Sequence, residues 1–288
     1  DHRDLHSFPT RRSSDLQDSS KVFRNTDIKG GVAVTYRDTT RVYGAIEIFT
    51  HFAELNSIMK KVKNNNTFKT LSDIVVTRTA YRLTEKMHTD FPEAINQLSK
   101  GHRYDMSTNI FERLPQIFFD KKPTDDYQYI KILGRENNAR VYKYVRRDYI
   151  NDVCNLDKYK IILPKSNGSG AIGEVLSTPL IGTPLIGTPL IGTTESFISI
   201  GSFDTMLEAE NAFKYIKGKF SRAMLGILKI TQDNPPDRWY YVPQQDFTST
   251  SDIDWSKSIA EIDRQLYKKY DLTPEEIKFI ETHVKEME

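Results

Sequence analysis

The chain has 288 residues, 38% hydrophobic and 28% charged, enough for one large core or two modest ones, which excludes collagen, coiled-coil and wholly disordered classes. Forty-one Lys and Arg against 39 Asp and Glu leave a formal charge of +2, too little for a whole-molecule field that gathers nucleic acid, so any basic surface is local. No run of about 18 apolar residues occurs and mean hydropathy is −0.55. The single cysteine, Cys154, allows neither an intrachain disulfide nor a cysteine-built zinc site, so a reducing, cytoplasmic setting is expected.

The N-terminus reads DHRDLHSFPTRRSSDL, basic and serine-rich but without the apolar stretch of a secretory signal. His6 to Leu16 is what a common sequencing-adapter string encodes in one reading frame. Residues 1–16 are therefore read as non-native and the remainder as a C-terminal fragment of a longer protein, a transit peptide being the alternative.

Two β-rich runs follow, Gly31 to Tyr36 and Arg41 to Phe49. Phe52, Leu55, Ile58, Met59 and Val62 recur at three and four residues, predicting an amphipathic helix over 51–63 that stops at Asn64-Asn65-Asn66. The stretch 67–126 is mixed, with Pro92 and Pro115 limiting helices.

Tyr127 to Leu133 and Val141 to Val145 alternate with period two and predict a hairpin joined across Gly134 to Arg140. From Tyr127 to Arg147 the chain carries Lys131, Arg135, Arg140, Lys143, Arg146 and Arg147 against Glu136 alone, a concentrated positive patch. Tyr159 to Pro164 predicts a strand running into Lys165-Ser166-Asn167-Gly168-Ser169-Gly170, a loop rich in hydrogen-bond donors.

PLIGT then occurs three times in tandem from Pro179 to Thr193. A proline every five residues forbids a helix, and the units are too short and few for a solenoid, so the repeat reads as replication or assembly slippage without function. Phe197 to Ile200 predicts a strand. Leu207 to Ile230 predicts one long helix, burying Ala209, Phe213, Ile216, Phe220, Met224 and Ile227 and presenting Lys214 and Lys217 opposite, with Arg222 on the shoulder. Thr273-Pro274-Glu275-Glu276 predicts a capped terminal helix. The stretch from Asp252 to Glu288, with 10 acidic and 6 basic residues, should face away from any polyanion.

Several motifs resemble catalytic ones and are better read otherwise. Gly168 to Gly173 matches G-x-G-x-x-G after a strand, but the proline repeat follows instead of the helix a nucleotide or S-adenosylmethionine loop needs. Asn234-Pro235-Pro236-Asp237 matches the Asn-Pro-Pro of adenine methyltransferases but lacks the aromatic that stacks on a flipped base, and reads as a helix stop. Asp27-Ile28-Lys29 and Glu276-Ile277-Lys278 match only the minimal D/E-x-K of nucleases. No histidine pair has metal-ligand spacing, and no G-x-S-x-G occurs.

Five blocks together resemble the C-terminal half of restriction-modification adenine-specific DNA methylases. They are Asp27 to Val32, the hairpin Ile132 to Tyr142, Tyr159 to Gly170, Phe197 to Phe203 with the helix after it, and Tyr241-Val242-Pro243-Gln244-Gln245-Asp246-Phe247. The likeness spans about residues 17–288, and the triple PLIGT departs from the family's spacing.

The resemblance implies that residues 17–50 are the last strands of a truncated methyltransferase domain and 51–288 the DNA target-recognition region. It implies an α/β to α+β fold with a mixed recognition domain and long amphipathic helices. The catalytic half, with its S-adenosylmethionine, would lie upstream, so neither cofactor nor metal is expected here, and the partner is double-stranded DNA.

The expected contacts are Lys131, Arg135, Asn137, Asn138, Arg140, Lys143, Lys165, Ser166, Asn167, Ser169, Lys214, Lys217 and Arg222, cations for phosphates and asparagines for base edges. They are expected to converge in one groove. Two readings compete: a freestanding enzyme holding a nucleotide or S-adenosylmethionine on Gly168 to Gly173, and a protein-interaction domain whose basic hairpin meets an acidic partner.

Overall fold

The computed structural model describes residues 10–16, 23, 32–37, 40, 50–168, 172, 173, 176 and 185–287. Near the N-terminus, β1 (Thr10–Leu16) and β2 (Val32–Arg37) form an antiparallel pair, so the stretch read as non-native supplies a strand. The run Arg41 to Phe49 lies outside the described residues.

The first helix, α1 (Ala53–Lys63), buries Leu55, Ile58, Met59 and Val62, the positions its spacing predicts. Asn64 closes it by donating its backbone N–H to the Lys60 carbonyl. Next come β3 (Val75–Val76) and three short helices, α2 (Glu85–Asp90), α3 (Ala94–Gln97) and α4 (Ile110–Arg113). The hairpin is β4 (Tyr129–Glu136) and β5 (Ala139–Arg146). Beyond it lie β6 (Tyr159–Pro164), β7 (Leu185–Gly187), β8 (Ile191–Thr193) and β9 (Phe197–Phe203). Four helices complete the chain: α5 (Met206–Lys217), α6 (Lys219–Leu225), α7 (Ile259–Lys269) and α8 (Pro274–His283). The fold is mixed α and β.

Two larger sheets organise it. An antiparallel sheet runs β3-β9-β6-β7, and a second runs β5-β4-β8 with β8 parallel to β4. Ile161, Leu163, Ile198 and Ile200 of the first sheet meet α1 and α5 to α8 in one core, together with Leu55, Tyr215, Phe220, Trp239, Leu266 and Ile280. The second sheet packs Ile130, Ile132 and Val145 on Tyr81, Met87, Ile110, Phe111 and Leu114. Each such side chain contributes about 1.5–3 kcal/mol on burial. The stretch 67–126, opaque in sequence, mostly wraps this second core.

A small third cluster, Leu133, Ile162 and Phe197, joins the two sheets. Alternation along β6 explains it: Ile161 and Leu163 point at the helices, so Ile162 points the other way, at the hairpin.

The PLIGT repeat also bridges the sheets. Its second copy supplies β7, paired with β6, and its third supplies β8, paired with β4, with Leu190 between them at φ 63°. A short β-branched run has no turn for a helix but enough length for three ladder positions, so slippage-like sequence is used structurally. Among the described residues no helix is long and apolar enough to cross a membrane.

The predicted helix over 207–230 is instead two helices, broken at Gly218 (φ −59°, ψ 151°). The break lets the Asp263 carboxylate of α7 accept the first N–H groups of α6, Lys219 at 2.9 Å and Phe220 at 3.1 Å. A Cβ at residue 218 would lie 2.7 Å from Asp263 Oδ1, so the contact needs glycine. Burial pushes the Asp263 carboxyl up to about 6, against the two N–H donors that favour its charge.

A folded-state value above the unfolded one means the folded protein holds that proton more tightly between about pH 4 and 6. Stability should therefore fall as pH rises through that window and level off above it. Asp263→Asn should flatten this part of the curve, read as the pH dependence of the melting temperature relative to the parent. Gly218→Ala should cost about 1–3 kcal/mol, measured by urea unfolding.

Candidate nucleic-acid interface

The hairpin turns in two residues, shorter than the predicted Gly134 to Arg140 loop. Asn137 (φ 47°) and Asn138 (φ 64°) both take the left-handed backbone that a type I′ turn requires and that asparagine tolerates. The ladder therefore runs to Glu136 and Ala139, and its register is fixed: Tyr129 faces Arg146, Lys131 faces Tyr144, Leu133 faces Tyr142, and Arg135 faces Arg140.

Directly opposed residues share a face, and alternation puts all eight on the same one. That face carries Lys131, Arg135, Arg140 and Arg146 with Tyr129, Tyr142 and Tyr144, and also Leu133, which is buried against Ile162 and Phe197 of the other sheet. Lys143 falls on the other face, against Phe111.

Carboxylates sort these cations further. Lys143 pairs with Asp120 at 2.8 Å and Glu136 at 3.1 Å, which hold its ammonium above the ordinary lysine range. Arg146 binds Asp148 and Asp90 and lies 3.5 Å over the Tyr127 ring; Arg147 binds Asp152. These carboxylates, Glu136 apart, come from outside the 127–147 window, so the sequence count overstates the free charge.

Lys131, Arg135 and Arg140 meet no carboxylate among the described residues. Lys131 is exposed, its Nζ 5.4 Å from the Tyr144 ring centroid. Arg135 donates to Asn138 Oδ1 at 3.2 Å. Arg140 lies with its Cζ 5.5 Å from the Phe197 centroid, and its Nε and Nη2 are buried without a hydrogen-bond partner. Phe197 is legible in sequence only as the start of a strand and is not among the expected contacts; nothing local to it signals a role across the seam between sheets.

In the Lys165 to Gly170 loop, the described residues 165–168 continue from β6 instead of projecting freely. Lys165 N–H donates to the Ser196 carbonyl, Asn167 N–H to that of Gln232, and Asn234 N–H to that of Lys165, so 164–168 is flanked on both sides. Ser166 Oγ donates to Asp233. Asn167, only 3% exposed, accepts at its backbone carbonyl from Lys229, while both its amide atoms lack partners. Lys165 is half-buried with no carboxylate partner among the described residues, and Ser169 lies outside them.

The helical cations do not join the hairpin. Lys214 donates to the carbonyls of Trp255 at 2.7 Å and Lys257 at 3.3 Å. Lys217 lies over Phe213, 5.3 Å from its centroid. Arg222 is 2% exposed and donates to the carbonyls of Lys217, Gly218, Gly173 and Lys285. Burial lowers its guanidinium to about 10.

These three lie on the helix side of the β3-β9-β6-β7 sheet and the hairpin on the other, as Ile161 and Ile162 point to opposite sides. The single groove expected from sequence is not formed. The candidate surface is the hairpin face, with the Lys165 loop at the end of β6. Asn137 and Asn138 first serve the turn; Asn138 also holds Arg135, leaving the Asn137 side chain at the exposed tip.

At the end of the Gly168 to Gly173 loop, Gly173 is not free to approach a nucleotide or S-adenosylmethionine, and residues 169–171 lie outside the described residues. The Gly173 carbonyl accepts Arg222 at 3.2 Å and the Lys285 N–H at 3.1 Å, and a Cβ there would meet Val284 Cα at 2.5 Å. That end of the loop is closed onto the C-terminal segment; residues 174, 175 and 177–184, where a nucleotide loop would be followed by its helix, lie outside the described residues.

Asn234 is fully buried beside β6, and Pro236 to Trp239 form a single tight turn, so this tetrapeptide ends a strand-like pairing instead of a helix. Glu276 caps α8 and pairs with Lys61 at 2.8 Å, while Asp27 to Lys29 lie outside the described residues. Among the described residues no cluster of His, Cys, Asp and Glu is suited to a metal ion.

No protein-family model matches the chain, and no curated protein matches it.

Arg222→Met should leave four carbonyls without their donor and lower stability by about 3 kcal/mol, read from the urea midpoint at unchanged slope.

Proposed function

We propose that this chain binds double-stranded DNA as the target-recognition region of a restriction-modification adenine-specific DNA methylase. The observation that carries the reading is the hairpin register, which gathers Lys131, Arg135 and Arg140 on one face with Tyr142 and Tyr144 while no carboxylate among the described residues neutralises them. A two-stranded ribbon of this kind has the width that a major groove admits. The five blocks that resemble the C-terminal half of these methylases add the family and the target.

On this reading residues 17–50 finish a methyltransferase domain and 51–288 recognise DNA, in the cytoplasm. The methyl donor, S-adenosylmethionine, belongs to the upstream catalytic domain, so the chain alone binds without methylating. Lys131, Arg135, Arg140 and Lys165 contact phosphates, and Asn137 at the hairpin tip reaches base edges. Lys143, Lys214 and Arg222 serve the fold.

Fluorescence anisotropy with duplex DNA across a salt series tests this. Log affinity should fall with log salt at about −0.9 per neutralised phosphate, and Arg135→Ala with Arg140→Ala should reduce the slope by about one phosphate's worth. Lys143→Met, on the opposite face, should leave the slope unchanged. A slope near zero for the parent chain sinks the proposal.

A further inference from the structure

Arg135 and Arg140 stand directly opposite each other, one rung from the turn, with like charge. Opposed like charges destabilise a ladder. Nothing anionic among the described residues offsets them: Arg135 has only the neutral Asn138 Oδ1, and Arg140 only the Phe197 ring. Arg140 carries a second cost, since two of its nitrogens are buried without an acceptor. A half-buried guanidinium with two donors shut away from both water and acceptors costs a fold free energy.

Elsewhere this chain satisfies its cations closely: Arg222 has four carbonyls, and Lys143 two carboxylates. The Arg135–Arg140 rung differs from these, two like charges facing each other with no anion between them among the described residues, and each neighbour holds it in place. The turn asparagine fixes Arg135, and Phe197 backs Arg140.

We infer that Arg135 and Arg140 form a fork that grips a single phosphate group, with one oxyanion accepting from both guanidiniums. Planar, multiply donating guanidiniums match phosphate oxygens in a way a lysine ammonium does not. The inference rests on the duplex-binding reading for the source of the phosphate, a backbone phosphodiester, but its chemistry holds for a free phosphate as well.

The experiment has two arms. Thermal unfolding of the full chain is followed in inorganic phosphate and in chloride at equal ionic strength and pH. Phosphate should raise the melting temperature of the parent by more than its general salting-out effect, less so in Arg140→Lys, and by that general effect alone in Arg135→Ala or Arg140→Ala. In phosphate-free buffer Arg140→Met should melt about 2 °C higher than the parent, because it removes an unpaired buried charge. An equal phosphate response in parent and Arg140→Ala, or a lower melting temperature for Arg140→Met, overturns the fork.

In the second arm single phosphates of a bound duplex are replaced by neutral methylphosphonates. One position should cost about tenfold in affinity, a tenfold change being about 1.4 kcal/mol, and Arg140→Ala should erase that position's effect. A scan unaltered by Arg140→Ala, beside a steep salt dependence, removes the fork and leaves the duplex reading standing. A phosphate response without any duplex binding does the reverse.

Discussion

The register of β4 against β5 decides which charges this protein presents. A two-residue turn at Asn137-Asn138 admits one pairing, and a slip of one residue would carry Ile130, Ile132 and Val145 out of their core and bring Lys131, Arg135 and Arg140 into it. Three apolar side chains and three cations are thus sorted by the same constraint. The left-handed backbone of the two asparagines is its local cause, and the packing against Phe111 and Met87 its enforcement.

Neutralisation then selects among the cations. Lys143 faces inward and is met by Asp120 and Glu136, while Arg222 and Lys214 fasten the C-terminal segment to the helical layer through backbone carbonyls. A buried cation that bonds carbonyls ties loops that carry no regular ladder of their own, and such a residue is spent on the fold. What remains unpaired on the hairpin is therefore informative in a way that the raw count of basic residues is not.

The sequence was legible where the physics is local. The spacing of Leu55, Ile58, Met59 and Val62, the Thr273 capping box, and the alternation along Tyr159 to Pro164 each depend on neighbours within a turn or a strand, and each element forms there. It was misleading where a distant residue decides. The break at Gly218 depends on Asp263, 45 positions later, and continuous apolar spacing gives no sign of it. The capping box at Ser258 and Glu261 was readable and went unread. The positive window at 127–147 looked unopposed because Asp90, Asp120, Asp148 and Asp152 lie outside it. Sorting its residues by strand parity would already have separated Lys143 from Lys131, Arg135 and Arg140.

The joint between the sheets ties these observations together. Leu133, Ile162 and Phe197, with Leu185 and Ile191 packed against them, hold the hairpin against the sheet that carries the helices. Phe197 also backs Arg140, so the ring that closes the joint sets the position of the most deeply placed cation on the presented face. Any anion that draws Arg140 away from that ring must work against the packing of the joint, and any packing change at Phe197 must reach Arg140. A surface built this way holds its charges in a defined geometry before a partner arrives, which lowers the ordering cost of binding and favours contacts that depend on position over contacts that depend on charge alone.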